Sequence, residues 1–412
     1  MIPRFSPTVS FAGTLRFLLD MALARGDSND ISRFERAFAQ FQGCEHALFV
    51  PSGRMALLLI LRHLGYPPGS EVVVPAFTHF SIPSVIRYAG LVPVFADLDP
   101  GTYELTPETV RAVLTGRTRA MIPTHLFGRT CPMPGLLALA GERKLDVIED
   151  CAQAFGARVG ERRAGQAGQA AYFTFGITKN FTTYSGGMVT CADPGMAEAM
   201  RESLRAFQPA SRSRLFKEGI VASAMAAAAW RPAFSMALAP VVRAAGPDRA
   251  DLVHRLFDEP PRDLSEASVP ALQWRPVPAQ ARAGMRQLGA LDARNELRRS
   301  AGCALLDALG RRGCAGLPTA AEPGGDHVFM SFAIRREKRY SFIHRLRRFG
   351  VDTSPGYVTN CRHFAPAGDK GGPECPVAES VADRIVHLPL YPGLSRADIQ
   401  RIAEGVARAD CA

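Results

Sequence analysis

Apolar residues follow two different periods along the first half of the chain. Short apolar runs alternate with longer segments in which apolar residues recur every three or four positions, the spacing of one helix face. The runs that predict strands cover residues 47–50, 71–75, 93–96, 120–123, 145–148, 170–175 and 188–190. The segments that predict helices cover residues 31–41, 55–64, 107–114 and 133–143, with a further helix from about residue 82. Strands that alternate with helices predict βαβ units and an α/β fold with a mainly parallel sheet.

The last third of the chain has a different pattern. A Pro-rich stretch, residues 259–278, indicates the passage from one domain to another. Beyond it, residues 280–309, 341–349 and 396–408 predict helices, and residues 328–334 and 351–353 predict strands. We therefore predict a large domain over residues 1–255 and a smaller α+β domain over residues 256–412.

Residues 11–24 are apolar enough to resemble a secretion signal. Arg16 and Asp20 interrupt the run, however, and the remaining apolar residues lie on one side of a helix. These residues are Leu15, Leu18, Leu19 and Ala22. We predict an amphipathic helix of the mature protein rather than a cleaved signal.

Composition narrows the classes of partner. The 412 residues carry a net charge of +10, which favours anionic partners such as nucleotides, phosphosugars or lipid headgroups. No basic run is interleaved with aromatic residues, so we do not expect nucleic-acid binding. The nine cysteines are scattered and never spaced as CxxC. This pattern is typical of reduced thiols in a cytoplasmic protein.

Residues 205–255 form an insert-like region that is both apolar and basic. Residues 219–230 carry no charge, and residues 203–249 contain seven Lys or Arg against two acids. Neither apolar half reaches the ~20 residues of a spanning helix. Two interpretations stay open. One is a buried helical hairpin that packs on the large domain or at a dimer contact, and the other is a peripheral contact of residues 205–249 with an anionic membrane surface.

Five polar residues fall just beyond predicted strand ends, where ligands collect in parallel sheets. They are Arg54, His79, His125, Asp150 and Lys179. We therefore expect one site to bring them together. A single lysine in a loop is more simply interpreted as a solvated surface charge. Only its combination with the other four residues favours a catalytic role for Lys179.

Three parts of this group match the needs of pyridoxal phosphate (PLP). A lysine amine binds the aldehyde as a Schiff base, and a carboxylate such as Asp150 holds a proton on the pyridine nitrogen. The turn Ser52–Gly53 before a helix offers backbone N–H groups to a phosphate, although helix capping alone also explains it. Arg54 in the first turn opposes the helix dipole unless an anion lies between them.

The order of several motifs resembles one known family. The motifs include Val50-Pro-Ser-Gly-Arg-Met-Ala-Leu57, Ile122-Pro-Thr-His-Leu-Phe-Gly128 and Val147-Ile-Glu-Asp-Cys-Ala-Gln-Ala-Phe-Gly156, with further matches in residues 68–78, 93–99, 172–187, 375–379 and 388–392. Together they resemble the sugar aminotransferases of the DegT/StrS family, except over residues 205–265. The resemblance implies PLP-dependent transferase fold type I, with a mixed, mainly parallel sheet in the large domain.

The resemblance also implies roles for individual residues. Lys179 matches the Schiff-base lysine, which also moves the proton. Asp150 matches the acid at the pyridine nitrogen, and Gln153 matches the amide at the ring hydroxyl. The phosphate-binding residues of the family match Ser52, Gly53, Arg54 and Thr174. The residue that stacks on the ring matches His79.

Three positions depart from the family pattern. Arg54 replaces a threonine, His79 replaces a stacking aromatic residue, and Ser185 replaces a glutamate. A neutral imidazole is flat and can still stack, so His79 leaves PLP binding in place but makes the reaction type less certain. We interpret His125 as structural. Cys361, His363 and His387 lack ligand spacing, so we predict no metal site.

The resemblance implies a PLP-dependent aminotransferase. Its amino donor would be glutamate, which converts the cofactor to its amine form (PMP), and its acceptor a keto sugar linked to a nucleotide. It implies a homodimer, and the thiols imply a cytoplasmic location, with the inner face of the membrane as an alternative. The rival hypotheses are a PLP-dependent sugar dehydratase, or another non-transaminating PLP enzyme, and a catalytically idle PLP-binding protein that regulates or sits at the membrane surface.

Overall fold

A seven-stranded sheet forms the centre of the computed structural model, which describes residues 1–23, 27, 29–244, 265, 268–318, 325–364 and 373–411. The strands are β1 (His46–Val50), β2 (Glu71–Pro75), β3 (Val92–Ala96), β4 (Thr118–Met121), β5 (Asp146–Asp150), β6 (Ala170–Thr174) and β7 (Gly187–Cys191). They lie in the order β1-β7-β6-β5-β4-β2-β3. Only β7 runs against its neighbours in this sheet, which confirms the predicted mixed, mainly parallel α/β fold.

Both faces of the sheet are covered, which explains why its strands read as continuous apolar runs. Successive side chains of a strand point to opposite faces. Val72 and Val74 of β2 therefore join one hydrophobic cluster, while Val73 joins another on the far side. All three side chains are fully buried.

The helices cover the sheet and build the rest of the molecule. They are α1 (Phe11–Ala22), α2 (Asn29–Gln42), α3 (Gly53–Leu64), α4 (Ser81–Tyr88), α5 (Pro107–Arg111), α6 (Met133–Arg143), α7 (Pro194–Arg205), α8 (Arg212–Ala229), α9 (Arg231–Ala233), α10 (Ala239–Ala244), α11 (Pro278–Leu288), α12 (Leu291–Gly310), α13 (Arg339–Arg348), α14 (Pro376–Arg384) and α15 (Arg396–Cys411). A π-helical turn, Phe234–Leu238, joins α9 to α10.

The C-terminal part has its own core. Helices α12, α13 and α15 pack on an antiparallel pair of strands, β8 (Phe332–Arg335) and β9 (Ile385–Leu388). The N-terminal segment joins this core, because buried Ile2 bridges to Val351 and Arg4 Nε lies 2.7 Å from a carboxylate oxygen of Asp352.

Helix α11 packs with the sheet rather than with the C-terminal core. Its Gly284 faces Phe34 of α2 so closely that a methyl group there would lie 2.5 Å from the phenyl ring. The predicted domain boundary at 255/256, the proline-rich residues 259–262, and the charges of Asp248 and Arg249 lie outside the described residues.

Short strand pairs tie distant segments together. Phe77–Thr78 pairs with Thr359–Asn360, and Gln208–Pro209 pairs with Trp274–Arg275. Arg158–Val159 pairs with Arg162–Arg163 and with Gly325–Asp326. A 3-10 helix covers Val269–Leu272 and another covers Cys361–Phe364.

Three local predictions differ from the structure. The helix predicted over 280–309 is two helices, because the chain turns at residues 289–290 and so buries both Leu288 and Leu291. The strand predicted over 328–334 begins only at Phe332, and residues 351–353 contribute one bridge rather than a strand.

Helix α1 forms where it was predicted but faces the other way. Leu15 and Leu19, on the side that the pattern picked out, are about half exposed. The buried residues are Thr14, Phe17, Asp20 and Met21. Asp20 is buried because Arg282 and Arg286 of α11 pair with its carboxylate.

Candidate active site

The predicted strand-end residues meet at one edge of the sheet. Strands β1, β2, β4, β5 and β6 all run in the same direction, so their carboxyl ends lie side by side. Asp150 is the last residue of β5, and Lys179 follows β6 by five positions. Arg54 is the second residue of α3, just after β1, and His79 follows the short strand Phe77–Thr78.

Lys179 lies at the centre of this edge. Its Nζ donates a hydrogen bond to the hydroxyl oxygen of Tyr357 over 3.4 Å and lies 5.1 Å from the centre of that ring. Its backbone is held on both sides, because the hydroxyl of Thr8 donates to the carbonyl of Lys179 over 2.6 Å and Lys179 N–H donates to the carbonyl of Gly176 over 3.1 Å. The amine is therefore presented by a fixed turn, half-buried against an aromatic ring.

Asp150 lies close enough to Lys179 for the two charges to act on each other. The carboxylate is 3% exposed, and its Oδ1 accepts from the N–H of Ala152 over 2.9 Å. Burial raises the pKa of Asp150, although the Ala152 N–H, the Tyr172 hydroxyl and Lys179 oppose the rise. Burial outweighs these contacts, so the folded protein stabilises the ionised Asp150 carboxylate less than water does.

Glu149, the neighbour of Asp150, has the opposite environment. Burial alone would raise its pKa, but the hydrogen bond and charge of His125 and the N–H groups of Gly168 and Gly165 outweigh burial and lower it. His125 Nε2 lies 2.9 Å from Glu149 Oε2, and His125 Nδ1 accepts from the N–H of Cys131 over 3.0 Å. The backbone donors to Glu149 are Gly165 at 2.9 Å, Ala167 at 2.6 Å and Gly168 at 2.7 Å.

The group His125, Glu149 and Cys151 has ligand atoms within 4.8 Å of one another, as a metal site would. The hydrogen bonds above already use both ring nitrogens of His125 and both oxygens of Glu149. Burial also raises the pKa of the Cys151 thiol well above its usual range, so it stays protonated. The group is a hydrogen-bond network that supports β5, which agrees with the structural interpretation of His125.

The start of α3 forms a cradle for an anion. Ser52 is the N-cap: its Oγ accepts from the N–H of Met55 over 3.2 Å, which leaves its own O–H free to donate. Gly53 lies against Thr174, because a methyl group on Gly53 would be 3.3 Å from Thr174 Cβ. Gly187 closes the cradle from β7, where a methyl group would lie 3.0 Å from Ser52 C and 3.1 Å from Gly53 N. Helix N–H groups and two hydroxyls thus meet at one place, and Arg54 follows directly in the first turn of α3.

His79 and Gln153 border the same edge. The His79 ring is tilted over Phe80 at 4.5 Å and lies 6.3 Å from the ring of Tyr357, and its Nδ1 is 2.7 Å from Ser81 Oγ. Gln153 is buried, and its Oε1 accepts from the N–H of Phe127 over 3.2 Å. Both side chains are therefore held by local bonds.

Ser185, where the family has glutamate, accepts hydrogen bonds from helix α11. Gln280 Nε2 donates to the carbonyl of Ser185 over 3.0 Å and to its hydroxyl over 3.2 Å. Gln280 is completely buried. Its amide occupies the space behind the glycine pair that closes the cradle.

Sequence reasoning missed four residues of this neighbourhood. Tyr357 and Thr8 carry no local signal, because strand pairing and the N-terminal segment bring them in from far along the chain. Gln280 and Asn295 did carry one: each is a polar residue on the apolar side of its helix, and each is buried. Asn295 supports Asn180, next to Lys179, through a hydrogen bond of 3.1 Å.

These residues fit PLP. A protonated ring nitrogen would supply the positive charge that buried Asp150 lacks, and the Ser52–Gly53 cradle suits a phosphate dianion. Lys179 lies at the same edge of the sheet as these two features and is the amine that would bind the aldehyde.

Comparisons with known proteins find aminotransferases that are similar to this chain in sequence and in fold. The chain is 31% identical over 403 residues to the dTDP-3-amino-3,4,6-trideoxy-alpha-D-glucose transaminase of Streptomyces venezuelae, covering 95% of this chain and 92% of that protein. It is 40% identical over 171 residues to the GDP-perosamine synthase of Caulobacter vibrioides, a match that spans 42% of this chain and only 46% of that protein. The fold matches the aminotransferase TlmJ of Streptoalloteichus hindustanus with a TM-score of 0.77 at 23% identity, over 100% of this chain and 99% of the other.

The family pattern of the DegT/DnrJ/EryC1/StrS aminotransferases matches residues 16–225 and 265–407. The part between these matches, residues 226–264, includes residues 226–255 of the insert-like region. The chain belongs to the DegT/DnrJ/EryC1/StrS aminotransferase family.

Proposed function

We propose that this aminotransferase takes the amino group of an amino acid, glutamate, and transfers it to a nucleotide-linked keto sugar with the help of PLP. The observation that carries the proposal is that Lys179 lies within electrostatic reach of buried Asp150, at the sheet edge where the Ser52–Gly53 turn also lies. The names of the relatives support the sugar acceptor, because the relatives are a dTDP-amino-sugar transaminase and a GDP-perosamine synthase.

The residues divide the work of binding. Ser52, Gly53 and Thr174, with Arg54 beside them, would hold the phosphate. Asp150 would hold a proton at the ring nitrogen, and His79 would lie along the ring.

When bound, PLP supplies an aldehyde and a ring that takes up electrons from the bond being broken. Lys179 Nζ would hold the cofactor and then move the proton released from the donor's α-carbon. Tyr357, which accepts a hydrogen bond from Nζ, would orient the amine during this transfer. The fixed backbone at Thr8 and Gly176 keeps the amine in reach on every cycle.

A two-stage assay tests this proposal. The PLP-loaded protein is first mixed with L-glutamate, and we expect its visible absorption band to fall as one equivalent of 2-oxoglutarate forms. Keto sugars linked to dTDP, GDP or UDP are then added, and mass spectrometry should detect an amino sugar while the band returns.

Matched lysine variants give the control. Lys179→Ala should abolish both stages and lose the PLP adduct that borohydride fixes on the protein, whereas exposed Lys144→Gln should keep both. An adduct without 2-oxoglutarate from any amino donor would favour an idle PLP-binding protein, and loss of water from the sugar without amination would favour a dehydratase.

We extend the proposal to a homodimer in the cytoplasm. Family resemblance supports the dimer, and the nine free thiols suit a reducing compartment. Light scattering on the PLP-loaded protein checks the dimer, and fractionation of the source cells checks the location.

A further inference from the structure

Helix α1 exposes a continuous apolar stripe. Four large side chains recur every fourth residue along its outer side and are 46–68% exposed. They are Phe11, Leu15, Leu19 and Leu23. A stripe of this kind on a protein surface usually marks a contact with another molecule or with a membrane.

The segment from α8 to α10, which we name the arm (residues 212–244), extends this stripe. Helix α8 lies against α1 so closely that a methyl group on Gly219 would be 2.6 Å from Leu18 Cδ2. The arm's own large exposed apolar residues are Ile220, Trp230, Met236, Leu238 and Val241. We name these residues, together with the exposed stripe of α1, the apolar surface.

The arm is fixed to the protein on its inner side. Arg231 pairs with Asp398 at 2.5 Å, and Phe234 and Val242 are buried. No single described helix is long and apolar enough to cross a membrane, while the pair Arg212–Ala229 and Arg231–Arg243 meets that test together with a bend of 71°. A bent helix pair that buries one face on the protein can lie flat in the headgroup region of a bilayer. Trp230 lies at the bend, and tryptophan is enriched at that membrane–water interface.

The charges around the apolar surface are mostly positive. Residues 203–244 contain six Lys or Arg and a single acid, Glu218. Lys217 and Arg243 are exposed, and Arg16 is exposed on α1. Burial, and then the guanidinium groups of Arg243, Arg401 and Arg231, lower the pKa of the Met1 amine, which shows that these cations lie together.

This charge pattern decides between the two occupants. In a two-fold dimer through this surface, the six Lys or Arg of each copy would gather at one interface with only Glu218 of each copy to offset them. Anionic lipid headgroups instead neutralise them. We propose that the apolar surface binds this enzyme to the face of an anionic lipid bilayer, with α1 and the arm lying in the headgroup region.

Vesicle flotation of the PLP-loaded protein tests the proposal. We expect the protein to float with vesicles of phosphatidylcholine and phosphatidylglycerol at low salt, to float poorly with phosphatidylcholine alone, and to be released by high salt. Two variants should each lower binding at least about tenfold: the triple variant Trp230→Ser, Met236→Ser, Leu238→Ser, and the double variant Lys217→Glu, Arg243→Glu.

Matched controls lie on other surfaces. Leu297→Ser removes an exposed leucine of α12, and Arg311→Glu reverses an exposed charge; both should bind vesicles as the parent does. All four variants should keep transaminase turnover in solution, so failure of this proposal is separate from failure of the proposed function.

Three results would overturn the proposal. The first is no flotation, or equal flotation with neutral vesicles. The second is a dimer that the triple variant dissociates, which would assign the apolar surface to a second copy. The third is protein that resists both salt and alkaline carbonate, which would indicate insertion of the bent pair rather than surface binding.

Discussion

The Nζ of Lys179 and the hydroxyl oxygen of Tyr357 lie 3.4 Å apart although 178 residues separate them in the chain. The antiparallel pairing of Thr359–Asn360 with Phe77–Thr78 explains the contact. It brings Tyr357 beside His79 and over the edge of the sheet where Lys179 lies. The C-terminal part of the chain thus completes a site that the large sheet begins.

Tyr357→Phe should slow catalysis without unfolding the site. The phenyl ring keeps its packing against His79 and Lys179, but Nζ loses the oxygen that orients it. We expect kcat to fall about tenfold, or ~1.4 kcal/mol of barrier, with little change in the KM for glutamate. Stopped-flow measurement of the first stage checks this split, and exposed Tyr340→Phe should behave as the parent.

The same contact shows where sequence reasoning succeeds and where it stops. Asp150, Lys179 and the Ser52–Gly53 turn were placed correctly in the chain because each follows a strand whose apolar pattern is local. Parallel strands then force their carboxyl ends together, so the edge could be predicted as well. Tyr357 and Thr8 could not be predicted, because their positions depend on pairing between distant segments.

Helix α1 shows a second limit. Its period predicts a helix, but apolar residues occupy two sides of it. Leu15 and Leu19 lie on one side, and Phe17 and Met21 on the other. Packing against α8 and α11, and the pairing of Asp20 with two arginines, decide which side is buried. A pattern within one helix carries no information about those partners.

Asp150→Asn should stabilise the PLP-free protein while it impairs catalysis. Because burial raises the pKa of Asp150 in the folded state, its ionised form lowers the free energy of unfolding at neutral pH. Asparagine keeps an oxygen for the Ala152 N–H without the charge. It cannot hold the ring proton, so we expect kcat to fall at least about 100-fold.

The stability difference between Asp150→Asn and the parent should depend on pH. The stability advantage of Asp150→Asn should be absent below the unfolded-state pKa of about 4. It should grow as the pH rises through the folded-state pKa and be constant above it. Thermal unfolding of the PLP-free proteins across pH 4–8 checks this, with exposed Asp383→Asn as the control. An Asn variant less stable than the parent at neutral pH would contradict the assigned environment.

Gly187→Ala should weaken the phosphate cradle. The added methyl group would lie 2.5 Å from the carbonyl oxygen of Phe173. It would also lie closer to the Ser52–Gly53 turn than van der Waals contact allows. The turn must move to remove this clash. We therefore expect the free energy of unfolding to fall by about 1–3 kcal/mol and the affinity for PLP to fall about tenfold or more. Gly141→Ala is the matched control, since open space surrounds that helical position and alanine there should be neutral or slightly stabilising. Titration with PLP and urea unfolding measure the two effects.

Glu149→Gln should weaken both the support of β5 and the binding of PLP at the end of that strand. The Glu149 carboxylate accepts three backbone N–H groups and His125, and one amide oxygen can replace only part of that set. The amide nitrogen would also face donors instead of acceptors. We expect about 3 kcal/mol of destabilisation, measured by urea unfolding of the PLP-free protein, and weaker PLP binding because Asp150 follows directly in the strand. Glu142→Gln, at an exposed ion pair with Arg111, should leave both quantities unchanged. A stable Glu149→Gln protein that binds PLP normally would show that Asp150 is held by β5 and the Ala152 N–H alone, and that the His125 network supports other loops.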